Sequence, residues 1–386
     1  MKMDDSSTRS SRKMRSPHDD EEEKAHFQRI VAAFKYYRTH SLQRVAKTEN
    51  YLRSLPAHHQ KLLENYHRHL TEIRACIESN DQIIKLIIRD VAYMFENVNP
   101  TGPTEPVKIV SSRPSGADLE KVHATLKQFV RDWSEEGAQE RQTCYQPIVE
   151  EIVSHFSTDM CAPQDIRVLV PGAGLGRLAF EIARRGYTCQ GNEFSLFMLF
   201  TSNFVLNKCR GTNVYHVFPW VHQYVNNLLP EHQTQGVSFP DINPADLPPN
   251  AQFSMAAGDF LEVYTEKDEW DCISTCFFID CANNIVAFIE TIYNILKPGG
   301  LWINLGPLLY HFSDLANENS IEPSYQVVRE VIVGIGFEIE KEETHVKTTY
   351  AQNPKSMLQY EYESVFFVCR KPALDDDRSP SQTGGR

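Results

Sequence analysis

The residues best suited to chemistry are a run of glycines, two spaced carboxylates and one histidine. In R-V-L-V-P-G-A-G-L-G, Arg167 to Gly176, three apolar residues lead into Gly172, Gly174 and Gly176. Val168, Leu169 and Val170 read as a buried parallel strand. The glycines predict a tight turn whose backbone a ligand can approach, because no Cβ stands in the way. Leu178 to Arg185 reads as a helix. Strand, glycine turn and helix form the nucleotide-cradling unit of doubly wound sheets. Tyr187 to Gly191 reads as a second strand ending on Asn192-Glu193, and Glu193 lies 21 residues past Gly172. A carboxylate there is placed to accept from the paired hydroxyls of a ribose. Dinucleotide sites space their glycines G-x-G-x-x-G, because a pyrophosphate needs the helix N-terminus. The spacing here is G-x-G-x-G. It better suits S-adenosylmethionine, which carries no phosphate, while a dinucleotide remains the alternative. Asp280 closes W-D-C-I-S-T-C-F-F-I-D, at the strand ends where such sheets hold their chemistry. His311 follows the next strand, in L-L-Y-H-F.

Composition narrows the classes. A net charge of −12 argues against a nucleic-acid footprint. No run approaches the ~18 consecutive apolar residues of a membrane span. The N-terminus is polar and lacks the apolar core of a signal peptide. The nine cysteines are an odd number with no C-x-x-C pair, which predicts reduced thiols in the cytosol or nucleus. Cys272, Cys276 and Cys281 cluster, but zinc calls for paired short spacings, so no metal is expected.

Those residues need elements to position them. Residues 1–23 are rich in Ser, Arg, Asp and Glu and read as a disordered tail. Residues 24–98 carry apolar positions at helical spacing: Ile30, Val31, Phe34 and Tyr37; Leu62, Leu63, Tyr66 and Leu70; Ile83, Ile84, Ile87, Ile88 and Val91. Residues 99–116, rich in proline, predict a linker. Residues 117–372 should form the sheet domain, with helices over about Asp118 to Trp133 and from Cys144-Tyr145 to Phe156. Residues 215–250, with proline-rich ends, look inserted, and 373–386 reads as a second disordered tail. Later strands are expected at Ala256 to Phe260, Trp270 to Asp280, Leu301 to Leu305, from Gly336-Phe337, and Tyr360 to Arg370. Lys297-Pro298-Gly299-Gly300 reads as a turn. The expected fold class is α/β: a Rossmann-like sheet with an antiparallel terminal β pair and an all-helical N-terminal region. Those apolar helices could pack on the sheet domain or form a homodimer.

V-P-G-A-G-L-G, the acidic end of strand two and L-K-P-G-G-L-W-I-N resemble the class I methyltransferases that use S-adenosylmethionine. Val170-Pro171 replaces the acidic residue usual before the first glycine. Longer strings narrow the resemblance: V-P-G-A-G-L-G-R-L-A-F-E-I-A, Q-G-N-E-F-S-L-F-M-L-F-T-S-N-F-V-L-N, G-D-F, T-C-F-F-I-D and I-N-L-G-P-L-L-Y-H-F. From about Phe27 to Pro372 the chain is similar to the carnosine N-methyltransferase family. That resemblance implies methyl transfer to an imidazole nitrogen of carnosine, giving anserine.

The resemblance also implies roles. Gly172 and Gly174 run beneath the methionyl part of the cofactor, and Glu193 takes its ribose. Asp259 contacts the adenine amino group, with Phe260 against the ring, and Cys276 offers its backbone. An Arg and a Gln ahead of the sheet reach the cofactor carboxylate, the Gln three residues before the Arg. Arg141 in A-Q-E-R is matched to that Arg; Ala138 stands three residues before it, and Gln139 is offset by one. Asp280, His311, Tyr360 and Tyr362 are expected on the dipeptide, Asp280 and His311 as the catalytic pair and Tyr362 preferred over Tyr360. The other readings are a methyltransferase for other histidine peptides or protein histidines, a non-catalytic scaffold, and a dehydrogenase.

Overall fold

The computed structural model describes residues 17–91, 113–157 and 161–373 of the 386. Most of the expected N-terminal tail and linker, and nearly all of the C-terminal tail, lie outside them. The tail boundary shifts: α1 runs Pro17–Ser54, so residues 17–23 belong to a helix. After α1 come α2 (Ala57–Leu62) and α3 (Glu64–Ile88). Helix α4 (Gly116–Trp133) follows, opened by a reciprocal capping box between Ser115 and Asp118. Then come α5 (Ala138–Cys144) and α6 (Gln146–His155).

The alternating region is β1 (Arg167–Pro171), α7 (Arg177–Ala183), β2 (Thr188–Glu193) and α8 (Leu196–Lys208). The insertion carries a small antiparallel ribbon, β3 (Tyr215–Val217) with β4 (Val237–Phe239). The sheet resumes with β5 (Phe253–Ala257), α9 (Phe260–Val263), β6 (Trp270–Cys276), α10 (Ile285–Ile295) and β7 (Leu296–Gly306). It ends with α11 (Tyr325–Ile335), β8 (Glu338–Thr348) and β9 (Tyr362–Arg370). Lys297 to Gly300, expected as a turn, lies within β7 beside a register irregularity of β6.

Strand order is β5-β2-β1-β6-β7-β9-β8, parallel as far as β7 and antiparallel for the last two strands. The terminal antiparallel pair is therefore where the sequence put it. Strand alternation splits the core. Leu301, Ile303 and Leu305 of β7 face α6 and α7, while Trp302 faces α10 and α11. The edge strand β8 is mostly exposed and charged, which discourages further strand pairing.

The N-terminal helices are not a separate lobe. Ile30, Phe34 and Tyr37 of α1 and Ile73 and Ile77 of α3 share one core cluster with Phe129 of α4, Phe200 of α8, and Val217 and Phe239 of the insertion. The inserted ribbon thus packs against α3, α4 and α8. The chain leaves β1 toward β2 and β5 on one side and returns to β6 and β7 on the other. That switch point opens a crevice at the C-terminal ends of β1 and β6, where open α/β sheets bind ligands.

Candidate functional site

The crevice floor is the turn after β1. Gly172, Gly174 and Gly176 have φ of +66°, +56° and +82°, a region that side chains disfavour. A Cβ at Gly172 would stand 2.5 Å from Phe278 Cδ2. A side chain there collides with the protein itself before any ligand is considered.

Glu193 ends β2 and is 9% exposed. Its carboxylate accepts from the N–H of Gly174 (2.8 Å) and of Ser195 (2.7 Å). It therefore ties the glycine turn to the second strand. Burial raises its pKa, opposed by those N–H groups and that of Phe194. Asp259 caps α9, its Oδ1 accepting from Leu261 N–H at 2.8 Å. The tips of β2 and β5 are held together by Gly258 N–H to Glu193 O (3.0 Å) and Asn192 Nδ2 to Gly258 O (3.0 Å). Phe260 is 3% exposed and packs against Tyr264, Phe278 and Phe288. Its ring is thus part of an aromatic core cluster.

The crevice is roofed by the C-terminal half of α4. Gln128 Nε2 donates to Asp132 Oδ2 (3.1 Å), which also accepts from Leu175 N–H (3.3 Å). A Cβ at Gly174 would lie 3.6 Å from both Gln128 Nε2 and Asp132 Oδ2, so these side chains press directly on the turn. Asp132 Oδ1 accepts from Tyr145 OH (2.7 Å), and Arg131 Nε donates to the same hydroxyl (3.2 Å). Arg131 also pairs with Glu140, and its guanidinium lies 4.3 Å from the Tyr350 ring centre, 5.1 Å from Tyr145 and 5.2 Å from Phe277. Its Nη2 is 3.8 Å from Cys276 Sγ. Cys276 thus meets the roof through its thiol, which burial raises.

Arg141 is placed differently from expectation. Its guanidinium donates to the carbonyls of Arg131 (2.9 Å) and Ser134 (2.8 Å) and to Asp241 (2.6 Å). Arg177 shares Asp241, at 2.6 Å. The Arg141 fork therefore closes the end of α4 onto the insertion. Gln139 is exposed and lines a cleft of about 350 Å³ with Gly137, Trp220, Thr348 and Gln352. None of Gly172, Glu193, Asp280 or His311 lines that cleft. The Gln-x-x-Arg spacing is instead met by Gln128 and Arg131, one turn apart on α4 and both buried, Gln128 beside Gly174 and Arg131 beside Cys276. The sequence carried this signal in K-Q-F-V-R-D.

At the far end of the crevice β6 stops at Cys276 because Phe277 turns to φ +54°. Asp280 is therefore not the strand end expected but part of a 3-10 turn, Ile279–Cys281. It is 1% exposed, and its Oδ2 accepts from Leu309 N–H at 2.7 Å. The His311 N–H donates to Asp280 O at 3.1 Å. Asp280 thus forms a floor beneath the exposed His311. Burial raises the Asp280 pKa, against the Leu309 N–H and His311. Tyr362 is half-buried, with its ring centre 5.9 Å from that of Phe277. Tyr360 precedes β9, is 60% exposed, and bonds through its backbone to Gln352. The strand expected from Tyr360 therefore begins two residues later, at Tyr362.

The crevice thus has the buried carboxylate of Glu193 at one side and Asp280 beneath His311 at its end. Residues 109–373 match the family model described as carnosine N-methyltransferase. The chain belongs to the carnosine N-methyltransferase family. Family members named carnosine N-methyltransferase include one from Mus musculus, 52% identical over 92% of this chain and 88% of its own length. The Drosophila melanogaster member is 48% identical over 95% and 84%. That of Schizosaccharomyces pombe is 40% identical over 91% and 97%. The match includes the roof, the glycine turn and the Asp280–His311 end of the crevice, so the family's span contains the whole site.

Proposed function

We propose that this protein transfers a methyl group from S-adenosylmethionine to an imidazole nitrogen of carnosine, giving anserine and S-adenosylhomocysteine. The observation that carries this reading is the pairing of a nucleotide crevice with a buried carboxylate under a histidine at its end, in a chain of this family. The donor set fits the cofactor. Glu193 offers a carboxylate for the ribose hydroxyls, and Asp259 an acceptor for the adenine amino group. Gln128 and Arg131 supply N–H donors for the methionyl carboxylate, the part first expected of Gln139 and Arg141. Gly172 and Gly174 present bare backbone.

When bound, S-adenosylmethionine supplies an electrophilic methyl on a sulfonium. The chain's own task is to hold a neutral imidazole in line and fix which nitrogen bears the proton. Free imidazole titrates near ~6.5, so no strong base is needed to bare a lone pair. Asp280 accepts from the far N–H and leaves the near lone pair facing the donor. As the ring becomes cationic, the same carboxylate stabilises the charge. The far N–H proton then leaves through Asp280 to solvent, a task suited to a carboxyl whose pKa burial has raised. His311 and Tyr362 hold the ring or the peptide.

A panel of acceptors with labelled methyl donor tests the function. Carnosine should be methylated and lysine-only peptides should not; equal labelling of both would defeat the imidazole reading. The pH profile should follow the same chemistry. Protonation removes the ring's lone pair and the Asp280 charge, so kcat/KM should fall toward acid, with an apparent pKa near ~6.5 or above. A flat profile from neutrality down to pH ~5 would contradict this order of protonation.

The roof assignment has its own test. Gln128→Leu should weaken cofactor binding about tenfold, the scale of one lost hydrogen bond to a charged group. Arg141→Met should lower the melting temperature, since it breaks a largely buried pair with Asp241, and leave cofactor affinity near wild type. Calorimetric titration of both variants decides it, and the reverse pattern would return the carboxylate role to Arg141.

A further inference from the structure

Cys281 has no part in the reaction described above, yet its thiol lies against both groups at the acceptor end. Its Sγ is 3.4 Å from His311 Nδ1 and 4.0 Å from Asp280 Oδ1. One ligand atom from each of the three residues falls within 4.8 Å of the other two. We infer that Asp280, Cys281 and His311 form a three-ligand site for a zinc-class divalent cation, and that filling it shuts the acceptor end of the crevice.

The distances support a tetrahedral ion. Bonds of about 2.3 Å to sulfur and about 2.0–2.1 Å to nitrogen or oxygen put neighbouring ligand atoms roughly 3.3–3.6 Å apart. The thiol–imidazole separation already matches, and the thiol–carboxylate separation exceeds it slightly. One nitrogen, one sulfur and one oxygen suit zinc far better than magnesium or calcium, which prefer all-oxygen shells. The ligands are also held in advance. Leu309 N–H fixes Asp280 Oδ2 at 2.7 Å, and His311 N–H is bonded to Asp280 O. Three protein ligands leave a fourth position for water or an incoming ligand. Cysteine spacing could not reveal this site, because two of its three ligands are not cysteines and His311 comes from the other side of β7.

An ion here engages Asp280 and His311, the groups the acceptor imidazole needs. An imidazole that fills the fourth position has its lone pair on the metal and cannot accept a methyl group. Zinc therefore inhibits. The inhibition rests on the proposed acceptor site, whereas metal binding itself does not.

The test uses the metal-free full-length protein. Cobalt(II) titration should produce a near-ultraviolet thiolate-to-cobalt charge-transfer band that is lost in Cys281→Ser. Cofactor titration on the same samples reports that the variant is folded, and Cys281→Ala replaces it if the serine variant is not. Methylation is then measured at buffered free zinc, so that chelation by the acceptor affects both proteins equally. Wild type should be inhibited at free zinc at least about tenfold lower than Cys281→Ser. No band in wild type, a band retained in the variant, or equal zinc sensitivity would each overturn the inference. Failure of the metal-free wild type to methylate carnosine would overturn the function instead, and leave the cobalt result standing.

Discussion

Asp280→Asn is expected to lower turnover about 10²-fold or more while leaving cofactor affinity near wild type. Asparagine keeps the size of the side chain and can still accept from Leu309 N–H, the bond Asp280 makes at 2.7 Å. The fold should tolerate it, because an amide is cheaper to bury than a carboxylate at a position 1% exposed. What disappears is the charge beneath the developing imidazolium. The amide N–H also turns a donor toward the ring, which favours the wrong tautomer. A hundredfold loss corresponds to ~2.7 kcal/mol of transition-state stabilisation, within the usual range for one misdirected electrostatic group. Steady-state methylation and cofactor titration on the same sample read the two effects apart. Wild-type turnover in Asp280→Asn would reduce Asp280 to a structural carboxylate that anchors Leu309.

Glu193→Ala should act on the other half of the reaction. Its carboxylate holds Gly174 N–H and Ser195 N–H in the protein itself. Removing it leaves the ribose hydroxyls poorly paired, at roughly 1–3 kcal/mol, or about 5- to 150-fold in Kd. It also frees the two N–H groups that shape the glycine turn, so the loss should fall toward the upper end. Glu193→Gln should rescue little, since its NH₂ must face one of those N–H donors. Calorimetry showing wild-type affinity in Glu193→Ala would remove Glu193 from the cofactor site.

The sheet was legible because its signals are local. Val168 to Val170 is an uninterrupted apolar run, the glycines follow at once, and Glu193 falls at a spacing set by one strand–helix–strand unit. The roof was less so. Gln128, Arg131 and Asp132 are 4%, 2% and 1% exposed, yet polar residues in a helix look like a solvated face until the neighbouring elements are known. Arg131 is covered by Tyr145, Phe277 and Tyr350, which arrive from three other segments. Arg141 looked equivalent because nothing in the sequence announced Asp241, one hundred residues away, as its partner. Tyr360 and Tyr362 show the same limit at a strand end: two residues apart, they share a face only if both lie in the strand, and β9 starts at Tyr362. Nothing in the G-D-F string announced that Phe260 would also pack against Phe278 and Phe288, which come from two later segments.

The most direct test of the central claim is to locate the transferred methyl group. Purified protein is incubated with carnosine and isotopically labelled S-adenosylmethionine, and the product is fragmented in a mass spectrometer. A parallel reaction uses the analogue in which phenyl replaces imidazole. The account predicts label confined to the imidazole fragment and no labelled product from the phenyl analogue. Label on the β-alanyl amine, or a phenyl analogue methylated as readily as carnosine, would contradict it.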